Sequence, residues 1–222
     1  MRIRSDSYPE ETKMKDRGLQ YALWPVHPQP FGDELLSSWI IRLAHGNGFK
    51  AQTFVYGYFE NGKSMWARDV DRTVDTQSMR ILAERSGQTI ERISAMSIDK
   101  YTGKVFEELR SGCHVNWLMP LGIRGRFFRR PGLMFCPACF RDSKEPYLRT
   151  NWRMAWSTVC TVHSRLLFDR CPACEATLQP HLADRQYRRK LNRQVSIANC
   201  AHCGFDLRLW ERFTPVDEEA LV

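Results

Sequence analysis

Seven of the eight cysteines and one histidine occur in short pairs whose members are separated by two residues. This spacing lets both side chains of a pair bind one metal ion from a tight loop, and two pairs supply the four ligands of a tetrahedral structural zinc site. Disulfide bonds are the alternative, but they require an oxidising compartment, and nothing in the sequence indicates export. The sequence therefore predicts two zinc ions. The predicted ligands are Cys136, Cys139, Cys160, His163, Cys171, Cys174, Cys200 and Cys203.

The four pairs can be combined in two ways. If consecutive pairs share an ion, the loops within the two sites are twenty and twenty-five residues long, which suits zinc ribbons. If alternate pairs share an ion, as in a RING finger, the ligand order also fits. Seven residues separate His163 from Cys171, however, and a RING finger has a much shorter segment there. The sequence favours consecutive pairing. Neither site has an open position for water or substrate, so both zinc ions are expected to be structural.

Composition and charge limit the class of protein. The chain has 222 residues, of which 43% are hydrophobic, so a folded core is expected. No apolar run approaches the ~18 residues of a membrane span, and residues 1–17 lack the apolar stretch of a signal peptide. These features predict a cytoplasmic protein without membrane contact. The net charge of +8 lies mostly in residues 116–222, which carry seventeen basic and ten acidic residues. This cysteine-rich half is therefore the predicted nucleic-acid-binding half.

The N-terminal half has the pattern of four helices, over residues 33–45, 51–59, 76–85 and 89–96. In the first of them the apolar residues recur with the 3.6-residue helical period, and Asp33 is expected to cap its first turn. Glycines follow the first and third helices, where turns are expected.

In two places a small residue is followed four positions later by a glycine and six positions after that by an apolar residue. This is the spacing of a helix-turn-helix, in which the small residue lets the helices approach and the glycine permits the turn. Few basic residues lie on these helices, so they are expected to bind protein rather than to read a major groove. A plain helical bundle is the alternative. The two sets are Ala44, Gly48 and Phe54, and Ala83, Gly87 and Ile93.

Two basic segments are candidate nucleic-acid contacts. One lies in the hinge between the halves, where arginines alternate with Phe127 and Phe128, and the other is a predicted helix over residues 183–193. Arginine can contact phosphates, and aromatic rings can stack on unpaired bases. A solvated basic surface is the alternative for both segments. The candidate residues are Arg124, Arg126, Arg129, Arg130, Arg185, Arg188, Arg189, Lys190 and Arg193.

Other chemistry-bearing residues have no assigned site. Cys113 is expected to be a free, partly buried thiol, and its role stays open. Tyr147, Trp152 and Trp156 are expected to form core around the first zinc ion. The sequence has no phosphate-binding glycine loop, no nucleophile elbow and no histidine set beside a serine. We therefore expect no enzymatic activity and assign no catalytic residue.

These patterns predict a mainly α, helix-turn-helix-like N-terminal domain followed by two small zinc-ribbon-like modules with little β structure. Residues 1–20 are expected to be a flexible tail, and residues 217–222 an acidic tail. The helical domain is predicted over residues 21–115, the first zinc module over 116–170 and the second over 171–216.

Two stretches, over residues 28–44 and 135–174, together resemble the TniQ family of transposon target-selection proteins. The resemblance spans residues 24–203, with Ser164 where glycine or lysine is more usual. Many relatives carry a further C-terminal domain, and short members resemble the adaptors of CRISPR-associated transposons. The residues that carry the resemblance are Pro28, Pro30, Asp33, Glu34, Leu35, Ser38, Trp39, Arg42, Leu43 and Ala44, then Phe135, Cys136, Pro137, Ala138, Cys139, Tyr147, Arg149, Trp152, Cys160, His163, Leu166, Cys171, Pro172, Ala173 and Cys174.

The resemblance implies a non-catalytic adaptor for transposition target-site selection. Such an adaptor links a target-bound complex, here of the RNA-guided CRISPR type, to the AAA+ ATPase regulator of the transposon and so to the transposase. The helical half would bind protein partners, and the basic half would contact DNA or guide RNA. A direct helix-turn-helix DNA-binding regulator and a RING-like zinc protein-interaction module are the alternatives. The oligomeric state stays open, and a homodimer is one of the assemblies considered.

Overall fold

The computed structural model describes residues 23–66, 69–109, 115–119, 132–184 and 196–212. This part of the chain is mostly helical and has one small sheet, as predicted. The two strands, β1 (Val159–Cys160) and β2 (Arg165–Leu166), are antiparallel, with Val159 opposite Leu166. The helices are α1 (Leu36–Gly46), α2 (Ala51–Tyr58), α3 (Gly62–Met65), α4 (Thr76–Ser86), α5 (Ile90–Ser94) and α6 (Pro137–Asp142). Short 3₁₀ turns lie at Ile98–Tyr101, Thr150–Arg153, Pro180–Leu182 and Leu207–Arg212.

Four of these helices match the helices predicted for the N-terminal half, with ends that differ by up to three residues. The four-residue α3 was not predicted, because Gly62–Met65 has no apolar period to reveal it. No helix within the described ranges is both long and apolar enough to cross a membrane.

The two glycines of the predicted helix-turn-helix sets have a left-handed backbone. Gly48 has φ of +76° and Gly87 has φ of +71°, a region that side chains with a Cβ avoid. The apolar members of the two sets, Phe54 and Ile93, are fully buried. The local turns thus have the expected geometry, while the helix-turn-helix assignment itself stays a prediction.

Helix α1 is covered on nearly all its faces. Trp39 and Ile40 are fully buried, as the helical period predicts, but the polar Ser37 and Ser38 are buried as well. A helix buried all round needs neighbours on every side, and the cysteine-rich half covers the side that the other helices leave open. There the Leu148 N–H donates to Ser38 Oγ at 3.0 Å, and the Leu35 N–H donates to the Leu148 carbonyl at 2.8 Å.

The predicted cap of α1 is wrong. The helix begins after Leu35, whose side chain makes no capping hydrogen bond. Asp33 instead accepts hydrogen bonds from Tyr147 Oη and the Arg149 guanidinium in the cysteine-rich half. One of the free amides of the first turn, Ser37 N–H, donates to Asp71 Oδ1 at 2.7 Å. The capping carboxylate therefore comes from a distant segment, which the local sequence does not reveal.

A buried ion-pair network joins the two halves around Arg153. This side chain is fully buried, and its Nη2 donates to Asp69 Oδ2 at 2.7 Å and to the Met119 carbonyl at 2.9 Å. Its Nη1 donates to Asp71 Oδ2 at 3.0 Å. Asp71 also bonds α1 through Ser37, so one carboxylate connects the cysteine-rich half to the central helix. Nearly all the buried apolar residues of the described ranges form one cluster that includes side chains of both halves.

We expect Arg153→Met to destabilise the protein by about 3–5 kcal/mol, because it leaves two buried carboxylates without their cation. Arg208→Met is the matched control. Arg208 is 40% exposed and pairs with the nearby Asp206, so its loss should cost less than about 1 kcal/mol. Urea denaturation of the zinc-loaded proteins measures both free energies of unfolding. Equal stability of the two variants would contradict the structural role of Arg153.

Candidate metal centres

The first predicted ligand set is brought together between helix α6 and the hairpin β1–β2. Cys136 immediately precedes α6, which starts at Pro137, and Cys139 lies within that helix. Cys160 ends β1, and His163 lies in the turn that leads to β2. The hairpin and the helix thus each contribute two ligands.

The turn of this hairpin contains one departure from the expected sequence pattern. Ser164, which follows the ligand histidine, has φ of +48°. This left-handed conformation favours glycine, which with lysine is the more usual residue at that position in the family that the sequence resembles. Ser164 adopts it nevertheless, and the turn places His163 beside the three cysteines.

The ligand atoms of this first cluster have the spacing of a tetrahedral zinc site. His163 Nδ1 lies 3.3 Å from Cys139 Sγ, 3.6 Å from Cys160 Sγ and 3.7 Å from Cys136 Sγ. Cys139 Sγ and Cys160 Sγ are 3.5 Å apart. Zinc bonds of about 2.3 Å to sulfur and 2.0–2.1 Å to nitrogen would separate tetrahedral ligand atoms by roughly 3.5–3.8 Å. The four residues therefore fit a zinc ion with shifts of a few tenths of an ångström.

The second cluster is built from two similar turns. In each turn the N–H of the residue after the second cysteine donates to the carbonyl of the first cysteine, from Glu175 to Cys171 and from Gly204 to Cys200. Both donors have positive φ, of 56° and 77°. Glycine adopts this conformation at little cost, whereas Glu175 does so under strain.

These turns aim four sulfur atoms at one point. Cys171 Sγ lies 3.6 Å from Cys203 Sγ, and Cys174 Sγ lies 3.7 Å from Cys200 Sγ. A disulfide requires sulfur atoms at about 2.05 Å, so these cysteines are free thiols, as are all those described. The separations again match a tetrahedral zinc site.

Both clusters combine consecutive pairs. All four ligand atoms of each cluster lie within 4.8 Å of one another. Cross-braced pairing would require Cys136 and Cys139 to meet Cys171 and Cys174, and the structure places these two pairs in separate clusters. The ligand arrangement of a RING finger is therefore not the one present.

The two clusters differ in exposure. The three cysteines of the first cluster are buried. In the second cluster Cys203 is exposed and Cys174 is partly exposed. A metal ion at the second cluster would therefore be the more accessible of the two to chelators.

The cysteine pKa values show why a cation suits these clusters. In the first cluster the hydrogen bond with Cys139 lowers the pKa of Cys136 to about 5, and the same bond together with burial raises the pKa of Cys139. In the second cluster burial raises the pKa of Cys174 to about 11. Closely spaced thiols therefore do not all ionise on their own, whereas a bound dication deprotonates its thiol ligands. Metal binding should release protons and weaken as the pH falls.

The predictions for the two tryptophans, for Cys113 and for the basic segments have different outcomes. Trp152 is buried as expected, but the expectation for Trp156 is wrong, because 47% of its surface is exposed. Its indole lies 6.4 Å from that of Trp117, which is also exposed. Cys113 and the nine basic residues proposed to contact nucleic acid lie outside the described residues. The prediction for those ten residues stands as made.

One residue beside the first cluster was not predicted from the sequence. Asp142 Oδ2 lies 2.9 Å from His163 Nε2, on the side of the ring away from the sulfur atoms. This contact lowers the pKa of the Asp142 carboxyl. Its position three residues after Cys139, on the same helix, was the signal available in the sequence.

Comparison with known families gives one match. The model of the TniQ family matches residues 25–167, close to two thirds of the chain. No curated protein matches the chain.

We expect the purified, reduced protein to contain two zinc ions per chain by elemental analysis. The double variant Cys171→Ser, Cys174→Ser should retain one ion, because each cluster has its own four ligands. The matched variant Cys136→Ser, Cys139→Ser should also retain one. Loss of both ions from the Cys171 and Cys174 variant would contradict separate clusters.

Proposed function

The chain belongs to the TniQ family, and we propose that it is a non-catalytic adaptor for transposition target-site selection that holds two structural zinc ions. Family membership makes it a transposition-associated protein. The adaptor role, the zinc ions and the partners are the proposal. In this role the protein links a target-bound complex, of the RNA-guided CRISPR type, to the AAA+ ATPase that recruits the transposase.

The observation that carries the proposal is that the polar residues of the two family-like stretches are engaged in hydrogen bonds and ion pairs with one another. Asp33 pairs with Tyr147 and Arg149, which lie in the second stretch. Arg42 donates to Glu34 Oε2 at 2.7 Å, and Ser38 Oγ donates to Glu34 Oε1 at 2.8 Å. These side chains could act as acids, bases or nucleophiles elsewhere, but here Asp33 bonds the second stretch across the joint between the halves. Ser38 and Arg42 are bonded to Glu34 within the first stretch. This arrangement supports a scaffold rather than an active site.

Zinc is the metal that the ligands favour. One cluster offers three thiols and an imidazole and the other offers four thiols, sets typical of structural zinc. Residues Cys136, Cys139, Cys160 and His163 would hold one ion, and Cys171, Cys174, Cys200 and Cys203 the other. With four protein ligands each, the ions would stabilise the fold and leave no position for substrate.

The surfaces of the two halves suit different partners. Large apolar side chains are exposed on the helical half, which favours docking of a protein such as the ATPase. The cysteine-rich half carries most of the net positive charge, which favours contact with DNA or guide RNA. We place this assembly in the cytoplasm, with a homodimer as an open arrangement. The exposed apolar residues of the helical half are Leu23, Val26, Phe49, Tyr56, Ile90 and Val105.

The direct test is recruitment of the ATPase to a target-bound complex, both taken from the same transposon. The complex is immobilised on target DNA, and the retained ATPase is measured with and without this protein. We expect retention to require the protein and to fall at least several-fold with Ile90→Glu, which places a charge on the exposed apolar surface. Gln77→Glu, which adds the same charge at an exposed polar position of the helical half, is the matched control and should bind as the wild type does. Retention that is equal without the protein would contradict the adaptor role.

A direct DNA-binding regulator is the second candidate, and the left-handed turn glycines Gly48 and Gly87 are the observation that favours it. The two functions differ in sequence selectivity. An adaptor that contacts phosphates binds duplexes of different sequence about equally, whereas a regulator prefers its operator through base contacts. Competition between random and selected duplexes at fixed salt concentration distinguishes them.

A further inference from the structure

We infer that Asp142 is a positioning residue for the first metal centre, where its carboxylate fixes the ring of His163 so that Nδ1 faces the three sulfur atoms. The inference rests on the proposal that Cys136, Cys139, Cys160 and His163 hold a zinc ion. It adds a residue that the spacing of the ligands does not identify.

The two nitrogens of the His163 ring have different partners. Nδ1 lies within 3.7 Å of all three sulfur atoms of the cluster, and Nε2 lies 2.9 Å from Asp142 Oδ2. A neutral imidazole carries one N–H and one lone pair. When Nε2–H donates to the carboxylate, the lone pair is on Nδ1, where a metal ion needs it. Asp142 therefore selects both the tautomer and the ring orientation.

The backbone of Asp142 is held by the same helix that carries a ligand. Asp142 ends α6, three residues after Cys139, so the two side chains lie one helical turn apart on one face. Phe140, in the same helix, is fully buried and stacks on Phe135 with ring centroids 5.7 Å apart. The Cα of Asp142 is therefore held in a fixed position relative to Cys139, and the contact with His163 depends only on the rotamer of Asp142.

The second carboxylate oxygen also has a neighbour. Arg141 Nε lies 3.5 Å from Asp142 Oδ1, which leaves Oδ2 directed at the imidazole. The Asp142 side chain is 56% exposed, so water competes for its hydrogen bond with His163. Because the side chain is not part of the core, its replacement should leave the fold intact. Loss of such an outer carboxylate typically weakens metal binding about 10–100-fold. We expect an effect of that size on the first ion alone.

The test compares Asp142→Ala and Asp142→Asn with the wild type in the full chain, at pH 7.5. Zinc retention is titrated with a chelator, and the His163 ring is observed by ¹⁵N NMR. The asparagine variant keeps an oxygen that can accept from Nε2–H, whereas the alanine variant does not. Asp169→Ala is the matched control, since Asp169 is a partly exposed aspartate of the same module whose Oδ1 lies 3.8 Å from Arg170 Nε.

The expected result has three parts. Asp142→Ala weakens one of the two zinc ions about 10–100-fold, Asp142→Asn weakens it less, and Asp169→Ala changes neither. The Nε2–H resonance of His163 is visible in the wild type and is lost to solvent exchange in Asp142→Ala. A merely structural role for Asp142 would not change this resonance while the ion is bound.

Two results would overturn the inference. One is wild-type zinc retention in Asp142→Ala, and the other is an equal loss in the alanine and asparagine variants. A wild-type protein that binds no metal at the first cluster gives a different failure, because it contradicts the proposed zinc ion before Asp142 is changed. Circular dichroism of each zinc-loaded variant shows that a loss of affinity is not a loss of fold.

Discussion

The arrangement of the two halves depends on a buried guanidinium. Arg153 is fully buried with Asp69 and Asp71, and burying each such ion costs several kcal/mol before its partners offset that cost. Burial lowers the pKa of Arg153, but the two carboxylates outweigh this and raise it overall. Burial raises the pKa of Asp71 to about 6 in spite of the nearby arginine. The network is thus favourable only when complete, and it specifies one arrangement of the halves more than it adds net stability.

This constraint gives a physical meaning to the family-like stretches. Each stretch alone is a modest pattern, but their residues contact one another: Asp33 bonds Arg149, and Leu35 bonds Leu148. The first ligand cluster lies within the second stretch, where Phe140 of α6 packs edge-on against Trp152 with centroids 5.8 Å apart. Together the two stretches form the joint between the helical half and the cysteine-rich half. Each stretch supplies half of the hydrogen-bonding partners, so the joint forms only when both stretches are present.

Local features of this protein could be predicted from the sequence, and tertiary features could not. The helices follow from apolar period and turn glycines, and the metal clusters follow from ligand spacing. The start of α1 could not be found, because the carboxylate that binds its first turn belongs to Asp71, thirty-four residues away. The burial of Ser37 and the exposure of Trp156 likewise depend on which surfaces the other half covers. The contact of Asp142 with His163 could not be predicted, because the sequence does not distinguish this aspartate from an ordinary solvated surface aspartate.

We expect the module of the first ligand cluster and the helical half to unfold as one structural unit, because Arg149 and Arg153 join them. Hydrogen exchange of residues 35–46, read by mass spectrometry, tests it in the variant Cys136→Ser, Cys139→Ser, which removes two ligands of the first cluster. We expect the amides of α1, including Ser37 N–H, to lose protection together with those of the module. Wild-type protection of α1 in a protein whose first module has unfolded would contradict it.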